Sequence, residues 1–504
     1  VYGIRNFSGA SLTIDNASVS QNAVTSNYAY TIWNNGGTVE IRNGSTISIR
    51  SDSNGSDYYM TAIRNDQGAV LNISDSSITA ESRGSDNSVF GIRNDGSATV
   101  TDSMIDATGY KITYGVYNTN AGEFDFIVTE TPDLSGLTDE QWNELESDAA
   151  GIYRYLPHIS GSQYSVYNQN KFSMYSTLES PIYTAVEETA DYSFRYLNVP
   201  VMVLNGDVYT QAKSTSATDD VTTTLLDGVT IFGDIYAKGT ASVVLNNIYL
   251  NSDSAYNLVN YGAGINITGT LNRSSFSVSR VSKADSADAV SLIFNSTAPF
   301  GFLNAANGTV YFGTASEQVV NPKTGEVYSD GIKFDANLYL KFYNYYGTVK
   351  IANFDGLGSK DKPVMVVNSG IFEIDASMDS ELNARETYDL YVSSNQADGL
   401  SGSQILTYMP TVDEIVNAGD AENVNDFTRN TASLNHPIYV AAGISDLGIV
   451  NYNANNHPKF GSTGAQITIQ NQLTLKNLNV KNTQSNSAAV TNYAGNFSMT
   501  GGSL

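Results

Sequence analysis

Apolar and polar residues alternate along this chain in short runs, and one run keeps returning. Tyr2-Gly3-Ile4-Arg5-Asn6 comes back as Tyr30-Thr31-Ile32-Trp33-Asn34, then as Thr61-Ala62-Ile63-Arg64-Asn65. Two further close copies are Phe90-Gly91-Ile92-Arg93-Asn94 and Tyr114-Gly115-Val116-Tyr117-Asn118. The pattern reads aromatic or apolar, any, aliphatic, any, Asn. Successive asparagines of these copies are 28, 31, 29 and 24 residues apart. Looser copies end at Asn168, Asn205, Asn260, Asn304, Asn344, Asn368, Asn451 and Asn492. A second series follows each copy: Ile14-Asp15-Asn16, Ile41-Arg42-Asn43, Ile73-Ser74-Asp75, Val100-Thr101-Asp102 and Ile374-Asp375. Thr46 to Ile49 and Ser77 to Thr79 begin a third alternating run. Each unit thus predicts about three short strands joined by turns.

A period of this length marks a solenoid. One such coil cannot bury its dry face alone. Stacked coils can, because like side chains form ladders inside the tube. The repeating Asn sits where the chain bends. It tolerates the left-handed conformation, and its amide is placed to bond with the next coil. Asn6, Asn34, Asn65, Asn94, Asn118, Asn168, Asn260, Asn304 and Asn368 are therefore expected to form a structural ladder. The fold class expected is all-β, a parallel β-helix or β-solenoid, with coils about 4.8 Å apart. The competing reading, an array of antiparallel sandwiches, needs repeats long enough to fold alone, and these are too short.

Two segments break the pattern. In 130–160, Thr138-Asp139-Glu140-Gln141 is a capping box that opens Trp142-Asn143-Glu144-Leu145-Glu146, so a short helix is expected. In 406–436, Thr411-Val412-Asp413-Glu414 is a second box, and Gly419 would stop its helix. The expected organisation is coils over 1–129, a helical insertion at 130–160, and coils over 161–405. A second insertion then covers 406–436, and coils over 437–504 would continue beyond the last residue. Both insertions are candidate contact surfaces, although decoration of the coils would explain them equally.

The chain has 504 residues, no cysteine and three histidines, His158, His436 and His457. That excludes a disulfide scaffold and argues against a thiolate or histidine metal site. With 51 acidic and 26 basic residues the formal charge is −25. Nucleic acid, anionic membrane and anionic polysaccharide are poor partners for such a surface. Calcium is a possible counter-ion, and no other cofactor is implied. No apolar run is long enough for a membrane helix.

Candidate chemistry is sparse. Asp207, Glu373 and Asp375 lie on expected strands, and Asp219-Asp220 in a polar loop. Carboxylates on adjacent coils could serve glycoside hydrolysis or hold calcium. No supporting constellation accompanies any pair, so no catalytic residue is assigned. Arg5, Arg64 and Arg93 share one repeat position. They would form a basic stripe or pair with acids on neighbouring coils. Tyr110, Tyr153, Tyr155, Tyr343, Tyr345 and Tyr346 fall outside the inward positions. They would either contact sugars or stack along the sheet.

The recurring Ile-Arg-Asn, glycine and alternating strand resemble the β-helical regions of large bacterial surface proteins. These include adhesins of pectate-lyase-like fold and autotransporter passengers. The resemblance covers most of the chain outside the two insertions and is one of architecture. It implies a right-handed parallel β-helix and export to the bacterial cell surface; the lack of a supporting constellation makes a non-enzyme the expectation. It also implies partners among host or matrix glycans or proteins, or further copies of the chain end to end in a surface fibre. The alternative is a polysaccharide lyase, a glycoside hydrolase or a phage tailspike on the same fold.

Overall fold

The structure is a computed structural model. It describes residues 1–376, 388–392, 449–451 and 472–504, less 23–27, 53–58, 85–87, 213–221, 283–288, 295–299, 314–318, 483–489, 493–495 and a few positions in other turns. The expected helix within 406–436 lies outside these residues.

Each early repeat forms three strands. The first coil is β1 (Tyr2–Phe7), β2 (Ser11–Asp15) and β3 (Ser18–Asn22). The second is β4 (Tyr28–Asn35), β5 (Thr38–Arg42) and β6 (Thr46–Ser51). The third is β7 (Tyr59–Asn65), β8 (Val70–Ser74) and β9 (Ser77–Ser82). The fourth is β10 (Ser88–Asn94), β11 (Ser97–Thr101) and β12 (Met104–Thr108). Every strand pairs in parallel with its counterpart one repeat away. Ile4 lies opposite Ile32, Ile32 opposite Ile63, and Ile63 opposite Ile92. On the second face Ile14, Ile41, Ile73 and Val100 follow one another in the same way. The third face stacks Val19, Ile47, Ile78 and Ile105. The fold is a right-handed β-solenoid, all-β with few helices.

The three ladders face one another and make the core. Ile32, Ile47, Ile63, Leu71, Ile78 and Ile92 have no measurable solvent exposure. Burying one such side chain contributes roughly 1.5–3 kcal/mol. A coil in isolation would leave all of them wet, so the stack is the unit of stability.

The coils fall into two compact units. The first comprises Val1–Asp234, Ile248–Ser252 and Arg273–Ser296. It continues with β13 (Thr113–Asn118), β14 (Glu123–Val128), helix α1 (Asp139–Ser147) and a 3-10 turn at Ala149–Tyr155. Then come β15 (His158–Asn168) and β16 (Lys171–Ser176). β15 turns a corner within its length: His158–Gly161 pair with β12, while Tyr164–Asn168 pair with β13. Next are β17 (Ile182–Glu187), β18 (Tyr192–Pro200), β19 (Val203–Gln211), β20 (Thr223–Asp227) and β21 (Thr230–Phe232).

α1 begins as its capping box requires. The Thr138 hydroxyl accepts from the Gln141 amide, and the Gln141 side chain accepts from the Thr138 amide. Trp142 and Leu145 of α1 bury against Ile152, Leu156, Leu197, Val199 and Val203 in a small core of their own. That core explains a feature absent from the sequence reading. β17 and β18 form an antiparallel hairpin, and strands Phe276–Ser282 and Ala289–Phe294 join them as one four-stranded antiparallel sheet. The stretch 161–405 is therefore not coil throughout. The hairpins alternate apolar and polar residues just as the coils do, so period alone could not separate them.

The second unit comprises Ile235–Asn247, Asp253–Asn272 and Thr297–Leu504. Its first face stacks strands Ile235–Lys238, Leu258–Tyr261, Phe300–Asn304, Leu340–Asn344, Met365–Asn368, Ile449–Asn451 and Val490–Asn492 in parallel. Its second face runs through Ile265, Val310, Val349, Phe372, Leu473 and Phe497.

The asparagines form hydrogen-bonded columns. In the first unit Asn6 Nδ2 donates to Asn34 Oδ1 (3.0 Å), Asn34 to Asn65 (2.9 Å) and Asn65 to Asn94 (2.8 Å). Asn94 continues to Asn118 (2.9 Å) and Asn118 to Asn168 (2.8 Å). The second Nδ2 hydrogen reaches a carbonyl that opens the next second-face strand, as in Asn34 to Val70 (2.9 Å) and Asn94 to Glu123 (3.0 Å). In the second unit Asn260, Asn304, Asn344 and Asn368 repeat the arrangement. After Asn118 a glycine is required, because a Cβ on Gly122 would stand 2.2 Å from Asn118 Oδ1; Ala10 and Ala69 hold the corresponding position after Asn6 and Asn65.

Two details differ from the sequence reading. Val201–Asn205 is not a copy of the first-face pattern. Val203 and Asn205 lie on the third face opposite His158 and Ser160, and Thr210 takes the ladder position above Asn168. Nor is the ladder where the left-handed residues sit. Positive φ occurs at Asn16, Asn43, Asp75 and Asp102, at the corner between second and third faces. The ladder asparagines end extended strands and are selected for their amides, whereas the second series is selected for its backbone.

Candidate functional site: an aromatic and arginine face

The first face carries two outward columns. One runs Tyr2, Tyr30, Thr61, Phe90, Tyr114 and Tyr164. The other runs Arg5, Trp33, Arg64, Arg93, Tyr117, Tyr167 and Tyr209. Residues three apart in a regular strand point to opposite sides. Here they meet: Tyr2 packs on Trp33 at 4.8 Å, and Phe90 meets Tyr117 edge-on at 5.5 Å. The strand bends at the intervening position, Gly3, Thr31, Ala62 and Gly91, which is skipped in the pairing register. That bend turns an aromatic residue outward that simple alternation assigns to the core.

Stacking follows the coil spacing. Tyr2 and Tyr30 lie 5.7 Å apart, Tyr28 and Tyr59 5.4 Å, and Tyr117 and Tyr167 4.7 Å. Such offset pairs contribute about 0.5–1.5 kcal/mol beyond area burial. In the later coils the columns are enclosed, and Tyr114, Tyr164, Tyr167 and Tyr209 are fully buried. Burial, reinforced by the neighbouring tyrosines, pushes the Tyr114 hydroxyl well above its usual range. Tyr2 of the first coil is 47% exposed, whereas Tyr30, next in its column, is buried; Tyr28, two residues before Tyr30, is 51% exposed.

The arginines at this position do not pair across coils with acids. The Arg5 guanidinium stacks on Trp33 at 3.8 Å and on Phe7 at 4.4 Å. Arg64 pairs within its own coil with Asp66 (2.6 Å) and donates to the Tyr30 hydroxyl (2.9 Å). Asp66 also accepts from the Trp33 indole N–H at 2.6 Å. Arg93 lies over Tyr117. Aromatic neighbours decide where these cations go, because a stacked guanidinium keeps its edge free to donate.

The carboxylates divide into three cases. Glu373 and Asp375 are both held by Lys476 at 3.1 Å, and Lys350 adds a contact to Glu373 at 3.4 Å. Asp207 lies beside Asp234, whose backbone N–H donates to it at 2.9 Å. Burial first, then the Asp234 charge, raises the Asp207 carboxyl to about 7, against the N–H bond that lowers it. Gly206, at φ 115°, lets the chain approach Gly161 closely and sets Asp207 in place. Asp219 and Asp220 lie outside the described residues, as do His436 and His457.

The remaining candidates are scattered. His158 is buried, with Nδ1 2.7 Å from the Leu156 carbonyl and Nε2 3.1 Å from Asp106. Tyr110 is 77% exposed. Tyr153 and Tyr155 pack on the α1 core, and Tyr343 is buried. Tyr345 and Tyr346 lie outside the described residues. The sequence reading missed Tyr2, Tyr28 and Trp33 as surface residues. The available signal was their shared register with Arg5 and Arg64, since a column holding arginine faces water at least in part.

No protein-family model matches the chain, and no curated protein matches it. Fold and site define a β-solenoid whose first face carries columns of aromatic residues and arginines.

Proposed function

We propose that this chain is a non-catalytic surface solenoid, exported from a bacterial cell, that mediates adhesion through the open part of its first face. The observation that carries the reading is the first face itself, on which aromatic residues and arginines of successive coils stack into columns. Fixed aromatic side chains cost little entropy to engage, and Tyr, Trp and Arg dominate contact surfaces. Support also comes from architecture: a stack offers long, regular faces suited to extended ligands. The test is binding of the intact chain to an array of glycans and matrix proteins, with and without calcium. Retention on one ligand class, lost in a Tyr2→Ala, Tyr28→Ala variant, supports adhesion. Loss of neither or absence of any ligand counts against it.

A second reading, polysaccharide hydrolysis or lysis, draws on Asp207 and Asp234, where one carboxyl holds its proton near neutrality beside another acid. A reducing-end assay over neutral and acidic polysaccharides tests it. Turnover abolished by Asp207→Asn would replace adhesion as the preferred function.

A further inference from the structure

We infer that the first face binds a neutral glycan through a pair of adjacent hydroxyls held between Arg93 and Asp95; this rests on the adhesion reading above. Both residues belong to the fourth coil and have a coil on either side. Arg93 stands between Arg64 of the third coil and Tyr117 of the fifth. Arg93, Asp95 and Tyr117 are each partly exposed.

The third coil shows these two positions closed on each other. Arg64 bonds Asp66 at 2.6 Å and the Tyr30 hydroxyl at 2.9 Å, and Asp66 also accepts from Trp33. The fourth coil differs. The Thr119 hydroxyl donates to Asp95 Oδ1, and the Arg93 guanidinium lies over the Tyr117 ring, 5.7 Å from its centroid. Among the described residues that guanidinium makes no ion pair and no hydrogen bond, and its Nε is buried without a partner. Burial raises the Asp95 carboxyl, against the pull of Arg93 and Arg64 and with the push of Asp66. One coil thus presents a donor fork and an acidic acceptor side by side that do not satisfy each other.

Three chemical demands on a ligand follow. It must accept from the guanidinium and donate to the carboxyl from neighbouring atoms. It must be uncharged: Arg64, Asp66, Arg93 and Asp95 balance one another, so an ion of either sign meets its like. An anion is further disfavoured by the formal charge of −25. It must also lie along a flat face beside the Tyr117 ring. Adjacent sugar hydroxyls each donate and accept, and the C–H face of a pyranose suits the ring. A carboxylated ligand would satisfy Arg93 and repel Asp95. An amide would supply donor and acceptor but no saturated ring face.

The experiment titrates the intact chain with cellohexaose, mannohexaose and isomaltohexaose, each also after periodate oxidation and borohydride reduction, which open adjacent diols. Hexagalacturonate, poly-glutamate and a neutral Gly-Asn peptide complete the panel. At least one neutral hexaose is expected to bind, and opening its diols to weaken it by about tenfold or more, as loss of a charge-assisted hydrogen bond implies. Arg93→Gln is expected to weaken the intact sugar to the same extent. Arg93→Lys, which keeps the charge and loses the fork, should fall between. Asp95→Asn keeps an acceptor for Thr119 and should cost less than Arg93→Gln; it replaces that variant if hydrogen exchange over 88–101 shows Arg93→Gln to be misfolded. Neutral sugars bound equally by wild type and by these variants, or equally before and after oxidation, would overturn the assignment and leave adhesion standing. Preference for hexagalacturonate, poly-glutamate or the peptide would overturn it in favour of those chemistries. Failure of every ligand, on this panel and among matrix proteins, would overturn both readings.

Discussion

Replacing Asp207 by Asn should make the first unit more stable at neutral and alkaline pH and leave it unchanged in mild acid. The Asp207 carboxyl is raised from 3.8 to about 7 by burial and by Asp234. A raised acid is neutral in the folded state over a range where the unfolded chain is ionised. Between about pH 4 and 7 the folded state therefore binds more protons, and stability falls as pH rises through that window. Above it the full penalty applies. Three units at 1.36 kcal/mol each set a ceiling of about 4 kcal/mol. Asn keeps an oxygen to accept the Asp234 N–H, now at 2.9 Å, and carries no charge to desolvate. Because the chain divides into two compact units, the measurement should be local. Hydrogen exchange of peptides covering 203–211 and 230–234, corrected for intrinsic rates, reports opening free energy at pH 5 and pH 8. The wild type should lose about 2–4 kcal/mol between them, and Asp207→Asn should lose much less. A wild type insensitive to pH, or a variant equally destabilised at both values, would refute the assignment of an uncharged Asp207.

Other outcomes follow from the ladder and the insertion. Asn94→Ala removes a donor to Asn118 and Glu123 and an acceptor for Asn65; stranding those buried groups should cost about 2–4 kcal/mol, read as faster exchange at Gly96 and Glu123. The Thr230 hydroxyl is buried and makes no hydrogen bond, so Thr230→Val should change stability by less than about 1 kcal/mol in thermal or urea unfolding. Trp142→Ala should loosen the α1 core by about 3–5 kcal/mol and open 134–156 to limited proteolysis, while the coils 28–108 keep their protection.

Most of the coil architecture was legible because it rests on one-dimensional facts. An aliphatic residue at a fixed offset from an asparagine says which side chain faces in and where a strand ends. Ile4, Ile32, Ile63 and Ile92 needed nothing more. The capping box at Thr138 was equally local. What could not be read depended on partners far apart in the chain. The hairpin β17–β18 and the strands at 276–282 and 289–294 have the alternation of any strand; that Leu197 and Val199 of β18 pack with Trp142 of α1 is a contact between segments more than 50 residues apart. The outward position of Tyr2 was not legible because strict alternation does not carry through the skipped register at Gly3. The Asp207 pair was visible only as one acid among 51, since its partner sits 27 residues away on the next coil.

Every bond in the amide columns points the same way, from the earlier coil's Nδ2 to the later coil's Oδ1. A partly assembled stack therefore shows unsatisfied amide hydrogens at its advancing end and a free side-chain oxygen at its origin. The next coil can complete the column only if it arrives in the same sense, so assembly is vectorial and a coil laid down upside down offers donor to donor. Duplication or loss of whole turns preserves this polarity, which gives such chains a route to change length without redesigning their interior.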